Sequence, residues 1–132
     1  MNNFLKKMIE GNGESPPEAC LESFNENFSD AVNVDWHNRN TCFEAVFYKG
    51  NLGHIAIFNL DGTLVEYRQF LPYEYLPVPL RNIALSKGEV MNSVLKNKGN
   101  MIEYEIIVCN PQRKRFMLLI SDIGELKEEI VL

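Results

Sequence analysis

Asp61-Gly62-Thr63 is the segment of this sequence whose residue types could most directly do chemistry. Phosphatases that use an aspartate nucleophile carry the motif DxDGT, in which the first Asp attacks phosphorus and the second acts as acid and base. Asn59 occupies the nucleophile position here, and a carboxamide cannot attack as a carboxylate does. In those phosphatases the loop follows a strand of a parallel sheet. In this sequence only about two residues join the two flanking strand-like runs, as in a β-hairpin. We therefore predict a turn with Gly62 at positive φ.

The histidines, cysteines and acids also form no catalytic or metal-binding pattern. His37 and His54 are the only histidines, and neither belongs to an HxH or HExxH pair. We predict that His54 lies at a strand edge and His37 in a loop. Cys42 and Cys109 stand in apolar runs, where a thiol stays protonated. The sequence therefore predicts no catalytic residue, no metal and no cofactor.

The composition is that of one globular domain. The chain has 132 residues, a net charge of −5 and a pI near 5.0, which argues against nucleic-acid binding because that requires a clustered basic face. No apolar run approaches the length of a membrane span, so we predict no membrane insertion.

Cysteine usage and the N-terminus bear on localisation. The three cysteines are Cys20, Cys42 and Cys109, and their odd number favours reduced thiols, although a Cys42–Cys109 bridge stays open in an oxidising compartment. The first residues carry no apolar signal segment. The sequence therefore predicts a cytoplasmic protein, or a periplasmic or secreted one if a leader was removed.

Two helices are predicted from capping residues and apolar spacing. Ser15-Pro16-Pro17-Glu18 forms a capping box and predicts a helix from about Pro16 to Phe28. A second helix is predicted from Leu80 to Lys87, ended by Gly88. Residues 1–14 are predicted to be a peripheral arm.

Eight runs have strand character, and short turns separate most of them. Short connections require antiparallel neighbours, because parallel strands need long crossovers. The predicted strands are 32–36, 43–48, 55–60, 64–70, 90–95, 102–109, 116–120 and 126–132.

The order of helix and strands in the first half recurs in the second. Gly62 and Gly124 occupy corresponding turns, and Phe43–Phe47 corresponds to Tyr104–Val108. Such self-similarity indicates an internal repeat, about 15–71 and about 77–132. We therefore predict an α+β fold in which tandem α-β4 repeats form one antiparallel sheet of about eight strands. Two helices are predicted to pack on one face, within a single domain, 15–132.

Several motifs together resemble a known family. The pattern F-x3-F-S-x-A-x2-V-x-W runs from Phe24 to Trp36, and shorter matches follow at 43–47, 61–64, 76–77, 102–106 and 124–126. Over about residues 20–132 the sequence resembles the PepSY-like proteins with a β-lactamase-inhibitor-protein-like (BLIP-like) fold, which are common in gut Bacteroides-type bacteria. The resemblance implies one sheet with helices on one face and a binding surface on the other. It implies no catalytic residue, and such proteins usually carry a secretion leader.

Strand alternation separates the residues predicted to meet the helices from those predicted to bind a partner. The apolar set is Phe43, Ala45, Phe47, Tyr104, Ile106, Val108, Leu118 and Ile120, and the predicted binding face is Glu44, Tyr48, Tyr67, Gln69, Glu103 and Glu105. Tyrosines supply contact area and acids select the sign of a partner's charge. The predicted function is a non-enzymatic protein-binding or inhibitor-like module for a protein or basic peptide. Two alternatives stay open: a small-ligand or peptide-binding protein with a pocket between helices and sheet, or a merely solvated polar face.

Overall fold

Two helices and eight strands make up residues 15–132, the part of the chain that the computed structural model describes. The predicted arm, 1–14, lies outside the described residues. Helix α1 is Glu18–Asn27, a 3₁₀ turn is Tyr73–Tyr75 and helix α2 is Val78–Lys87. The strands are β1 Val32–Asn38, β2 Cys42–Lys49, β3 Leu52–Asn59, β4 Leu64–Phe70, β5 Glu89–Asn97, β6 Ile102–Cys109, β7 Arg115–Ser121 and β8 Leu126–Val131.

The strands follow one another in chain order within a single antiparallel sheet, β1 to β8. The predicted α+β class, the eight-stranded antiparallel sheet and its two helices are confirmed. The described residues divide into a first unit, 15–67, and a second unit, Arg68–Leu132. Each unit contains one helix and its own buried cluster.

The predicted capping box does not form. The N-cap of α1 is Pro17, which has ψ 150° and makes no side-chain cap. Its carbonyl accepts hydrogen bonds from the backbone N–H groups of Cys20 and Leu21. Because Pro17 continues the extended backbone, the helix begins two residues later than predicted and Ser15 lies two residues before the cap.

The core of the first unit is aromatic. Phe24 of α1 has its ring centroid 5.4 Å from that of Trp36, 5.1 Å from that of Phe47 and 6.4 Å from that of Phe58. These side chains are nearly or fully buried, and burying each one stabilises the fold by about 1.5–3 kcal/mol. Trp36 is therefore a core residue.

The core of the second unit is largely aliphatic. Leu76, Leu80 and Ala84 come from α2 and the segment before it, and they pack with Ile106, Leu118 and other strand residues. All eight residues predicted to meet the helices are buried in one of the two clusters.

The turns after β3 and β7 have the same hydrogen-bond geometry. In the first, Asn59 N–H donates to Thr63 O at 2.9 Å and Gly62 N–H donates to Asn59 O at 2.9 Å; in the second, Ser121 and Gly124 make the corresponding bonds at 2.8 and 3.0 Å. The φ angles of Gly62 and Gly124 are 91° and 89°. The predicted chain reversal at positive φ is confirmed, and the sequence duplication remains a hypothesis.

Gly62 has a second reason to lack a side chain. A Cβ atom at Gly62 would lie 2.6 Å from the carbonyl oxygen of Ala19, in the first turn of α1. The adjacent Cys20 Sγ donates to Asn59 O at 3.2 Å. The β3–β4 turn is thus packed directly against the start of the helix.

The pairing register shifts in the first and last strands. In β1 the shift falls between Val32 and Asp35, where Asn33 has φ 54°. In the β7–β8 pair, Leu119 lies opposite Glu128 and Ile120 opposite Leu126, so Lys127 is the extra residue of a β-bulge.

Candidate functional site

The candidate site in the first unit is the sheet face opposite α1, which we call the first open face. Phe47 and His54 are a cross-strand pair on the helix side, so the adjacent pairs point the other way. Tyr48 lies opposite Gly53, Val46 opposite Ile55 and Glu44 opposite Ile57. Tyr48 is 49% exposed, and its glycine partner leaves one side of the ring uncovered. This arrangement offers an aromatic ring beside aliphatic side chains.

The charged groups of the first open face are paired with one another. Arg39 Nη2 donates to Glu44 Oε1 at 3.3 Å, and His37 Nε2 lies 3.1 Å from Asp35 Oδ2. His37 lies within β1 rather than in the predicted loop, because the strand continues to Asn38. Since the carboxylate of Glu44 already has a cationic partner, it contributes little net charge to the face.

In the second unit, Glu103 lies on the sheet face opposite α2, the second open face, and is almost fully buried. Its residue exposure is 3%, and its two carboxylate oxygens lie 3.3 Å from Lys98 Nζ and 3.2 Å from Lys127 Nζ. Burial alone would raise the pKa of Glu103, but the hydrogen bonds and charges of the two lysines outweigh burial and hold this pKa below its usual value. Glu103 therefore acts within the protein and is not exposed to a partner.

Glu105 is also paired within the second open face. Lys96 Nζ lies 3.6 Å from Glu105 Oε1, and β5 brings Val94 directly opposite Glu105. On the other side, β7 places Leu119 opposite Glu105 and Met117 opposite Ile107. The second open face is therefore a mixture of ion pairs and aliphatic groups, and not the acidic surface that the sequence indicated.

Tyr67 does not lie on the open face, which corrects the predicted binding surface. Its ring stacks on Phe28 at 5.2 Å, it packs against the core cluster of the first unit, and its hydroxyl is hydrogen-bonded to His54 Nδ1. Gln69, two residues further along β4, is half-buried. Of the six predicted residues, Glu44 and Tyr48 lie together on the first open face, and Glu103 and Glu105 lie on the second.

His54 is a core residue, contrary to the predicted strand-edge position. It is 3% exposed, and its ring lies between those of Phe47 and Tyr67 with interplanar angles of 14° to each. Burial lowers the pKa of His54. The sequence could have indicated this burial, because residues 54, 56 and 58 alternate along β3 and Ala56 and Phe58 lie on its buried side.

Asp61 stabilises its own turn. The carboxylate accepts a hydrogen bond from the backbone N–H of Thr63 at 2.9 Å, and this bond lowers the pKa of Asp61. A shallow, open groove lies between this turn and α1, and its lining includes the acids Glu22, Glu26 and Asp61.

The cysteines are free, and the ligands for a metal ion are not assembled. Cys20 is buried, and Cys42 and Cys109 are half-buried. Burial raises the pKa of the Cys20 thiol. Across 15–132, no three side chains from His, Cys, Asp or Glu are grouped so that they could hold a metal ion. In the same residues, neither helix is long and apolar enough to cross a membrane.

Comparison with solved structures places this fold in a recognisable class. The chain is similar to a DUF2874 family protein from Bacteroides ovatus, with a TM-score of 0.81 and 19% identity over 90% of this chain and 89% of that one. It is also similar to a BLIP-like protein from Bacteroides fragilis, with a TM-score of 0.79 and 17% identity over 93% and 92% of the two chains. The BLIP-like fold is therefore shown. No family model matches the sequence, and no curated protein matches it.

A third similar structure bears on localisation. It is a Bacteroides eggerthii protein assigned provisionally to the periplasm, with a TM-score of 0.79 and 17% identity over 87% of this chain and 88% of that one. The periplasmic option is compatible with this likeness.

Proposed function

We propose that this chain is a non-enzymatic protein-binding or inhibitor-like module that belongs to the PepSY-like proteins and binds its partner through the first open face. The observation that carries the proposal is Tyr48, a half-exposed tyrosine that stands over Gly53 and beside the Val46–Ile55 pair. Tyrosine rings are common anchors in protein interfaces because they bury large areas at a small entropic cost.

The ion pairs determine what kind of partner fits. Glu44, Glu103 and Glu105 each have a cationic neighbour, so a basic peptide would have to displace Arg39 or a lysine to reach them. Displacing the existing cation forfeits its attraction, so exchanging it for a peptide's cation gives little net gain. The proposed partner is therefore a folded protein that contacts Tyr48 and the aliphatic residues, rather than a basic peptide selected by charge.

The fold supports the proposal through its BLIP-like neighbour. The alternative of a ligand pocket between helix and sheet has less support, because core side chains occupy that space in both units. A ligand there would have to displace groups such as Phe24 or Leu80, which are 5% and 1% exposed.

Immobilised full-length protein provides the test, with a matched pair of tyrosine variants. Tyr48→Ala removes the proposed anchor, whereas Tyr75→Ala removes a 64% exposed tyrosine from the 3₁₀ turn. Proteins captured from lysate of the source cells are identified by mass spectrometry, and the affinity of the leading candidate is then measured with purified components. We expect Tyr48→Ala to weaken binding about tenfold or more and Tyr75→Ala to leave it unchanged.

A change of Val46 to Lys is a second probe of the same face, because it adds a charge at the centre of the proposed contact. Equal binding by Tyr48→Ala, Val46→Lys and wild type would rule out the first open face as the partner site. Circular dichroism of each variant separates a lost contact from a lost fold.

A further inference from the structure

Four aromatic rings form a closed cycle at one end of the first unit. The ring centroids of Phe28 and Phe47 are 5.0 Å apart, those of Phe47 and His54 5.4 Å, those of His54 and Tyr67 5.5 Å and those of Tyr67 and Phe28 5.2 Å. The four rings come from the C-cap of α1 and from β2, β3 and β4. The cycle therefore joins the C-terminal end of α1 to three strands.

His54 is the member of this cycle that can change charge near neutral pH. Its Nδ1 is hydrogen-bonded to the Tyr67 hydroxyl, and its buried Nε2 has no hydrogen-bond partner. A protonated imidazole carries a positive charge and two N–H donors. Protonation inside the closed cycle would thus bury a positive charge, which is unfavourable.

The charged groups around His54 largely offset one another. The backbone carbonyl of Lys49, at the end of β2, favours protonation of His54, the ammonium charge of Lys49 opposes it, and the carboxylate of Asp30, just after α1, favours it. These two residues lie 3.8 Å apart, Lys49 Nζ to Asp30 Oδ1. Tyr67 from β4 faces the ring as a neutral phenol, because burial raises the pKa of Tyr67. Burial therefore decides the protonation state, and the closed cycle contains a neutral His54.

We propose that His54 is an acid-sensitive latch, whose protonation separates Phe28 and the C-terminal end of α1 from the strands of the first unit. The trigger is geometric: water can reach Nε2 only if the stack between Phe47 and Tyr67 opens, so a protonated ring favours the open state. This device is independent of any partner and goes beyond the proposed binding function.

The direction of the pH dependence follows from linkage. The pKa of His54 is below the ordinary 6.5 in the closed state and returns to about 6.5 when the ring is exposed. The closed state therefore binds fewer protons than the open one. The contribution of His54 to closure is fully present above pH 6.5. As pH falls from 6.5 toward the closed-state pKa, the equilibrium constant for closure decreases by up to about tenfold per pH unit.

Nuclear magnetic resonance of the full chain tests the latch. The His54 ring signal is followed from about pH 8 to about pH 4.5 and assigned with a His37→Gln variant. Amide exchange is measured for Phe28 and Ala31, whose N–H groups donate to Phe24 O at 2.8 Å and to Phe28 O at 3.0 Å. We expect His54 to titrate below 6.5, and the protection of both amides to fall severalfold as it does.

Two controls make the result decisive. The amides of Arg81 and Gly88, which donate to Pro77 O and Ala84 O at the two ends of α2, should keep their protection over the same pH range. His54→Phe keeps an aromatic ring that cannot be protonated, and it should abolish the acid sensitivity of Phe28 and Ala31. A His54 that titrates at 6.5 or above, or amide protection that is equal at about pH 7.5 and about pH 5, would overturn the latch. If His54→Phe does not fold, the wild-type titration alone decides the outcome.

Discussion

Replacing Gly62 with Ala tests the claim that the β3–β4 turn is packed against α1. The new Cβ would meet Ala19 O at 2.6 Å and would also stand at φ 91°. A left-handed backbone costs alanine about 1–2 kcal/mol, and overpacking against backbone atoms adds about 1–3 kcal/mol. We therefore expect Gly62→Ala to lower the free energy of unfolding by about 2–5 kcal/mol.

Gly124→Ala is the matched control for backbone strain. Gly124 has φ 89° in the equivalent turn, but its Cβ would find only Ile83 Cδ1, at 3.9 Å, which is an ordinary contact. Its expected cost is the strain alone, about 1–2 kcal/mol. The difference between the two variants isolates the collision with Ala19.

Urea unfolding measures both variants. Fluorescence of Trp36, the sole tryptophan and 3% exposed, reports on the first unit, and far-ultraviolet circular dichroism reports on the whole chain. If Gly62→Ala were no more destabilising than Gly124→Ala, the close approach of the turn to Ala19 would be refuted.

Three further predictions address the ion pairs, the core and the thiols. Glu103→Gln should destabilise the protein by about 1–2 kcal/mol, whereas Glu105→Gln should cost less than about 1 kcal/mol because its ion pair is more exposed. The pKa of Glu103 is depressed in the folded state, so the stability that its carboxylate contributes is present above its unfolded pKa and is lost as pH falls through its folded pKa. The urea midpoints of Glu103→Gln and wild type should therefore converge in acid. Phe24→Ala should cost about 3–5 kcal/mol and change Trp36 fluorescence, because the two rings are 5.4 Å apart; an unchanged emission spectrum would contradict that packing. Ellman's reagent should label Cys42 and Cys109 before Cys20, because the Cys20 thiol is buried and its pKa is raised. All three thiols should react equally fast in urea. Early labelling of Cys20 in the folded protein would show that α1 opens.

Much of the fold could be predicted from the sequence because strand periodicity and turn chemistry are local. The alternation of Phe43, Ala45 and Phe47 identified the buried side of β2, and glycines at 62 and 124 identified two chain reversals. The failed capping box shows the limit of such patterns. Ser15 and Glu18 have the right spacing, but Pro17 keeps the backbone extended and moves the start of the helix.

The candidate site was harder to predict because it depends on register. In β4, Leu64 and Tyr67 both pack against the core cluster although they are three residues apart, so strict alternation assigns one of them to the wrong face. Glu103 was predicted to face a partner, but its charge is satisfied by Lys127, which comes from the bulged position of β8. A bulge is set by pairing with the neighbouring strand, and one sequence does not contain that information.

The bulges at Asn33 and Lys127 affect how copies of this protein behave toward one another. They interrupt the ladder in β1 and β8, the two strands at the ends of the sheet order. A long, regular outer strand is a template for cross-β stacking with other chains. With both outer strands kinked, and with a positively charged lysine at one of the kinks, concentrated solutions of the protein should resist fibril growth.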